Sequence, residues 1–342
     1  MASSFDRHTP GWVTGWLGFM VLLVVAMVVI GGATRLTNSG LSITEWAPIS
    51  GALPPMSQDA WIAEFEKYKR IPEFEAEHPG MDINGFRFIY FWEWAHRQLG
   101  RIIGMAFAVP FLILLVSKRL PKGRALALTA VLLLIGVQGA IGWWMVHSGL
   151  QDGMVAVSQY RLATHLGVAF IILGLLLWLF LDAVRGWRRS GGTRLGWLAP
   201  LFLGLVYIQI VAGAFVAGTG SGKTFNSWPL MDGSFVPSGY WFMEPLWRNL
   251  FENAAAIQFN HRLLAYVLLG VFVALAVRYA RRDAMRLPLL VMGVLLIWQV
   301  GLGIWTLLAV APLNLSLLHQ FSSILVFLST VWLVYRRREL RY

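Results

Sequence analysis

Stretches of about twenty consecutive apolar residues recur along this chain, the length a helix needs to cross the hydrocarbon core of a bilayer. Inside lipid every backbone polar group must find its partner within the chain. Runs this long and this uninterrupted meet that demand as helices, not as barrel strands. Composition agrees: of 342 residues, 57% are hydrophobic and only 13% charged, a balance with no use in a soluble domain. The chain has no cysteine, which excludes disulfides, thiolate metal sites and thiol catalysis within it. Met1 to Gly11 has no signal or transit character, and the first apolar run is too long for a signal h-region. That run is expected to be retained as a span, in a bacterial protein.

Eight spans are expected, near 13–33, 89–116, 125–147, 161–183, 195–217, 254–278, 288–309 and 315–335. The joints between them alternate in character. One set is short and basic: Lys118, Arg119, Lys122 and Arg124; Arg185, Arg188, Arg189 and Arg194; Arg278, Arg281, Arg282 and Arg286; and, after the last span, Arg336, Arg337, Arg338 and Arg341. The other set is longer and richer in acids, Gly, Pro and aromatics. The positive-inside rule makes the basic joints cytoplasmic, and an even number of spans then puts both termini there. The net charge of +11 is thereby a topology signal, and nucleic acid is excluded as a partner in favour of the lipid bilayer. Two outer loops are long. The first, Thr34 to Phe88, holds Pro54-Pro55 and then Ser57 to Tyr68, where Trp61, Phe65 and Tyr68 recur at helical spacing. An amphipathic helix in the membrane interface is expected there. The second long loop runs from Gly218 to Asn253.

The two halves resemble each other. The second span reads Glu93-Trp94-Ala95-His96-Arg97 and the sixth Gln258-Phe259-Asn260-His261-Arg262; the third has Gln138-Gly139-Ala140-Ile141-Gly142-Trp143 and the seventh Gln299-Val300-Gly301-Leu302-Gly303-Ile304-Trp305. Each even-numbered span carries one histidine near its outer end: His96, His165, His261 and His319. The expected architecture is all-α, with two four-helix bundles, 1–188 and 189–342, related by a pseudo-twofold axis along the membrane normal. An even number of helices per half makes the repeats parallel.

Ionisable residues inside a membrane are costly and mark function by default. A single intramembrane histidine can be a satisfied core residue, but four at matching depth on alternate spans argue for a shared purpose. Two histidines facing each other across a bundle suit the two axial positions of a haem iron. Zinc wants a further ligand or an open water site, and only Glu93 is nearby; a histidine proton relay is another reading, less suited to the repeat. His8 and His78 lie in polar segments and are expected on the solvated surface, with His147 as a polar anchor at the outer interface. Glu93 shares a helical face with His96, while its counterpart is the neutral Gln258. A carboxylate beside a haem can accept protons or stabilise developing positive charge, so chemistry is expected in the first half and a passive haem in the second. A salt bridge from Glu93 to Arg97 or Arg101 is the competing reading. Arg97, Arg101, Arg161 and Arg262 lie at histidine depth. Arg97, Arg161 and Arg262 are candidates for pairing with haem propionates, against snorkelling to the interface. Ala217 to Thr224 is close to a P-loop in spelling, but a transmembrane helix precedes it where a strand is needed. A flexible loop is expected.

At this point the sequence resembles the haem A synthase family over essentially its whole length. The likeness is carried by Glu93-Trp94-Ala95-His96-Arg97, by Thr34-Arg35-Leu36-Thr37-Asn38-Ser39-Gly40-Leu41-Ser42, by Trp46 with Pro48, by Phe225-Asn226-Ser227-Trp228-Pro229-Leu230-Met231, and by Asn260-His261-Arg262. It is most similar to the branch shared by proteobacteria and mitochondria. Some other members carry paired outer-loop cysteines, which this chain lacks, so no role for such a pair carries over. The resemblance implies an inner-membrane oxidoreductase that converts haem O to haem A for terminal oxidases, oxidising a ring methyl to a formyl through successive hydroxylations. It implies that His96 and His165 hold the substrate haem, that His261 and His319 hold a haem b cofactor, and that Glu93 is the catalytic carboxylate. It points to haem O synthase and terminal oxidase assembly factors as partners, to an electron acceptor that the sequence does not identify, and to a homo-oligomer. The alternative is a di-haem electron carrier with bis-histidine ligation and no substrate chemistry. A haem transporter or chaperone would use the same ligands.

Overall fold

The computed structural model describes residues 11–47, 50–119, 122–187 and 196–337. His8, Pro48, Arg188, Arg189, Arg194, Arg338 and Arg341 lie outside them. The described residues form an all-helical protein with α1 (Gly11–Leu36), α2 (Gln58–Tyr68), α3 (Pro72–Glu77), α4 (Ile83–Val116), α5 (Lys122–Gly149), α6 (Gln159–Val184), α7 (Leu198–Thr219), α8 (Asn249–Glu252), α9 (Ala254–Tyr279), α10 (Asp283–Leu308) and α11 (Leu313–Arg337). Eight of these, α1, α4–α7 and α9–α11, are long and apolar enough to cross a membrane. The protein is a multi-pass membrane protein, as expected.

Helix α1 packs against α4, α6 and α11; α6 also packs against α5 and α7; α7 packs against α9 and α11, and α10 against α11 and α9. The main apolar core is built from the halves of these helices nearest the short basic joints. It includes Leu17, Met20, Val24, Phe107, Phe170 and Phe327. On each histidine-bearing helix the core begins beyond the histidine: at Ile103 after His96, Ala169 after His165, Leu268 after His261 and Ile324 after His319. Polar side chains are therefore collected at the helix ends away from the basic joints.

Two expectations change there. Helix α4 starts at Ile83, a turn and a half before the expected span, capped by the Asp82 carboxylate, which accepts from Gly85 N at 2.8 Å. At 34 residues it is about 50 Å long, well beyond the ~30 Å hydrocarbon core. The excess stays helical because α2 packs on it: Trp61, Phe65 and Tyr68 meet Phe86 and Tyr90 edge-on or stacked. Helix α2 itself forms where expected, with Ser57 as its cap. Its apolar stripe, however, is spent on protein, with Tyr68 fully buried, and is not free to lie in the interface. At the opposite end, beside the basic joint, α10 starts at Asp283 and carries Pro288 inside it, where the missing N–H removes a single backbone bond near the helix start.

Candidate functional site: paired histidines beneath two clamped loops

His96 on α4 and His165 on α6 face each other with ring centres 6.4 Å apart and planes inclined at 56°. Two imidazoles that bind one metal from opposite sides, each through a nitrogen at about 2 Å, hold their ring centres on the order of 6 Å apart. Nδ1 of His96, His165 and His261 is buried with no protein partner, a costly state for polar atoms unless something else engages the ring. The chemistry and spacing of this pair fit a bis-histidine haem site. His261 on α9 and His319 on α11 occupy the matching places in the second half.

Each ring lies against a glycine of another helix. A Cβ at Gly31, Gly142, Gly213 or Gly303 would come within 2.9, 2.9, 3.3 and 2.9 Å of Cε1 of His96, His165, His261 and His319. A larger residue at Gly31, Gly142 or Gly303 would force the imidazole to move, and one at Gly213 would press against it. Gln138, Gln209 and Gln299 donate to the backbone carbonyls of His165, His261 and His319 at 2.9, 3.1 and 3.1 Å. Sequence reasoning used Gln138 and Gln299 as repeat markers without giving them this role, and missed Gln209. The signal was present: a glutamine four residues before a glycine recurs on the third, fifth and seventh spans.

The loops that follow α1 and α7 fold back over the sites in the same way. Asn38 and Gly220 end the two helices in the left-handed conformation, at φ 47° and 68°, as helix C-caps commonly do. Arg97 donates to the carbonyls of Ile43 and Glu45 at 2.9 and 3.1 Å. Arg262 donates to those of Phe225 and Ser227, both at 2.9 Å. Arg161 donates to the Trp144 carbonyl at 2.6 Å and lies over its ring. These guanidiniums, read from sequence as propionate contacts, thus have protein partners. Arg101 likewise donates to the Ala47 carbonyl at 3.1 Å.

The halves differ at Glu93. It is 3% exposed. One oxygen accepts from Ser42 Oγ and Ile43 N at 2.8 and 2.7 Å; the other accepts from Arg97 Nε and Nη2 at 3.1 and 2.6 Å. The salt bridge to Arg97 considered from sequence is therefore present, and the four donors fill the carboxylate's acceptor sites. Gln258 instead donates to the Phe225 carbonyl at 3.1 Å.

Above Glu93 sits a second buried acid that sequence reasoning did not single out. Glu73 of α3 is 4% exposed and accepts from the Tyr68 hydroxyl at 3.3 Å. Burial, with the Glu93 charge adding to it, pushes its carboxyl up to about 8. The Tyr68 hydroxyl also meets His78 Nδ1 at 2.7 Å, so His78 is half-buried and not simply solvated. His147 is exposed, stacked on Trp143 and near Gln151, as an anchor would be. The P-loop look-alike is no flexible loop: Ala217–Thr219 finish α7 and Ser221–Lys223 form a short 3-10 turn.

A family model described as cytochrome oxidase assembly protein (COX15-CtaA) matches residues 14–331. The chain belongs to this family. It is 45% identical to the protein named haem A synthase of Dinoroseobacter shibae, over 96% of this chain and 87% of that one. It is 48% identical to that of Maricaulis maris, over 93% and 94%, and 45% identical to that of Paracoccus denitrificans, over 96% and 88%. The segments that carried the family likeness have structural counterparts here. Thr34–Ser42 supplies the α1 cap and the Ser42 bond to Glu93, while Phe225–Ser227 supplies carbonyls held by Arg262.

Proposed function

We propose that this chain is a haem A synthase, which oxidises a ring methyl of haem O to the formyl group of haem A for terminal oxidases. The carrying observation is the inequality of two otherwise matching histidine sites, in a chain whose relatives bear that name: Glu93 is fixed beside the first site and Gln258 beside the second. In this reading His96 and His165 hold the substrate haem, and His261 and His319 hold a haem b cofactor. Haem b at the second site supplies one-electron transfer.

The remaining work belongs to the chain. The glycines facing the rings give each imidazole its place. The two clamped loops cover the outer ends of the sites and limit access of water. Glu93, held by four donors, sets a fixed negative charge beside the reacting haem, where it stabilises developing positive charge. Proton uptake at its oxygens requires one donor to leave, and the Ser42 hydroxyl is the one that can rotate away. The net reaction that releases electrons takes its oxygen from water: two successive hydroxylations each break a carbon–hydrogen bond and form a carbon–oxygen bond, and the resulting gem-diol loses one water to leave the formyl group. The four protons and four electrons released pass to solvent and to an acceptor outside this chain.

The basic joints set the orientation: both termini in the cytoplasm and the haem sites toward the outer face of a bacterial inner membrane. Residues 1–188 and 189–342 act as the substrate and cofactor halves. Haem O synthase, oxidase assembly factors and a second copy of the chain are the partners this reading suggests. The test is the haem profile of cells that make haem O and express the chain. Haem A is expected, together with protein-bound haem b. Bound haem with no conversion would favour the di-haem electron carrier.

A further inference from the structure

Three of the four histidines share one set of surroundings and the fourth departs from it. Gln138, Gln209 and Gln299 each stand one helical turn before the glycine that faces the ring. Each places its amide nitrogen both on the histidine's own carbonyl and within 3.5, 3.3 and 3.3 Å of a ring nitrogen. A helical carbonyl has two lone pairs and gives one to its own helix. The glutamine takes the other, and so ties the ligand's backbone to the neighbouring helix. Around His96 the glycine is kept, as Gly31, but the residue one turn earlier is Met27. A thioether donates no hydrogen bond. The Met27 methyl lies instead toward Gly100, one turn along α4 from His96, where an added Cβ would meet it at 3.5 Å.

We propose that Met27 makes His96 the releasable ligand, so that the first site exchanges its haem while the second retains it. This rests on the functional reading above, in which one haem is a substrate that must enter and leave and the other is resident. Nδ1 of His96, His165 and His261 alike has no protein partner, so what sets His96 apart is the missing bond on its backbone carbonyl. Outer bonds that hold a metal ligand in place change metal affinity about 10- to 100-fold. A ligand that lacks such a bond is the one to let go first. Gln320, beside His319, works in the same direction. It donates to the Val28 carbonyl at 2.7 Å and lies over Gly32, which ties the second site's ligand helix to α1 as well.

The test is transfer of haem from the purified, haem-loaded protein to excess apomyoglobin, followed by absorbance. The wild type is expected to release haem in a fast and a slow phase. Met27→Gln should slow the fast phase by about tenfold or more, and Gln209→Met should speed the slow phase by a similar factor. Met27→Leu, which keeps the apolar packing and also lacks a donor, should leave the fast phase unchanged. The reciprocal variants test the idea independently, so one that does not fold leaves the other decisive. A single phase in the wild type, or unchanged phases in the folded reciprocal variants, would overturn the proposal. A protein that carries no haem at all would instead overturn the functional reading.

Discussion

The backbone N–H of Ile43 is bonded to the Glu93 carboxylate at 2.7 Å, which joins the loop after α1 to the helix that carries His96. The matching loop of the second half is joined through Phe225, but as an acceptor from Gln258. The same fold closure, with an arginine on the loop carbonyls in both halves, thus adds a carboxylate in one half and a neutral amide in the other.

Glu93→Gln should leave haem bound, because both histidines remain. Conversion of haem O should fall by roughly 10²-fold or more, the range for loss of a positioned charge stabiliser or base. Chromatography of extracted haems, normalised to folded protein, measures it. Near-normal haem A yield would make the Glu93–Arg97 pair a loop fastening and nothing more.

His261→Ala combined with His319→Ala should abolish the low-spin haem b absorbance of the purified protein, since both axial ligands assigned to that haem are gone. A full spectrum from the double variant would overturn the assignment.

Stability of the α2–α3 cover should depend on pH through Glu73. Its folded value of about 8 stands above the ordinary 4.5 because burial disfavours the carboxylate. The fold therefore favours the protonated acid. That contribution is whole below about 4.5, declines as the pH rises, and is gone above about 8. Melting temperatures across this range should fall more steeply for the wild type than for Glu73→Gln. Parallel curves would mean that Glu73 is not buried as described.

A reporter active only outside the cytoplasm should work when inserted near Asp232 and fail when inserted near Arg282. The first lies in the long connection after α7 and the second in the short basic turn between α9 and α10. The reverse pattern would invert the orientation and move the histidine sites to the cytoplasmic face.

Much of this arrangement could be read from sequence. Twenty-residue apolar runs have one solution in lipid, so the eight spans were legible. The pairing of Glu93 against Gln258 followed from aligning two helices. The facing of His96 and His165 was legible too, but the contacts that the loops make with the spans were not. Nothing local says that Ser42 and Ile43 reach Glu93, or that Arg97 spends its nitrogens on a loop. Glu73 reads as one more acid in a polar segment until Tyr68 and Arg35 are placed around it. Helix ends escaped too, because the first turns of α4, capped by Asp82, pack against α2, a contact that no local pattern announces. Gln209 was legible in principle, by comparing the odd-numbered spans with each other as the even-numbered ones were compared.

Arg35 leaves the end of α1 and donates to the Ala217 and Gly218 carbonyls at the end of α7, at 3.0 and 3.4 Å. A cation at the negative end of a helix is favourable, and here the helix belongs to the other half of the chain. The arginine acts as a strut of fixed length across the outer rim. Together with the Tyr160 hydroxyl on Glu252 at 2.8 Å and Gln320 on the Val28 carbonyl at 2.7 Å, it is one of several side-chain ties that hold the two halves at a set separation. In the proposed reading, an electron crossing from one histidine pair to the other would meet a gap whose width these ties hold constant.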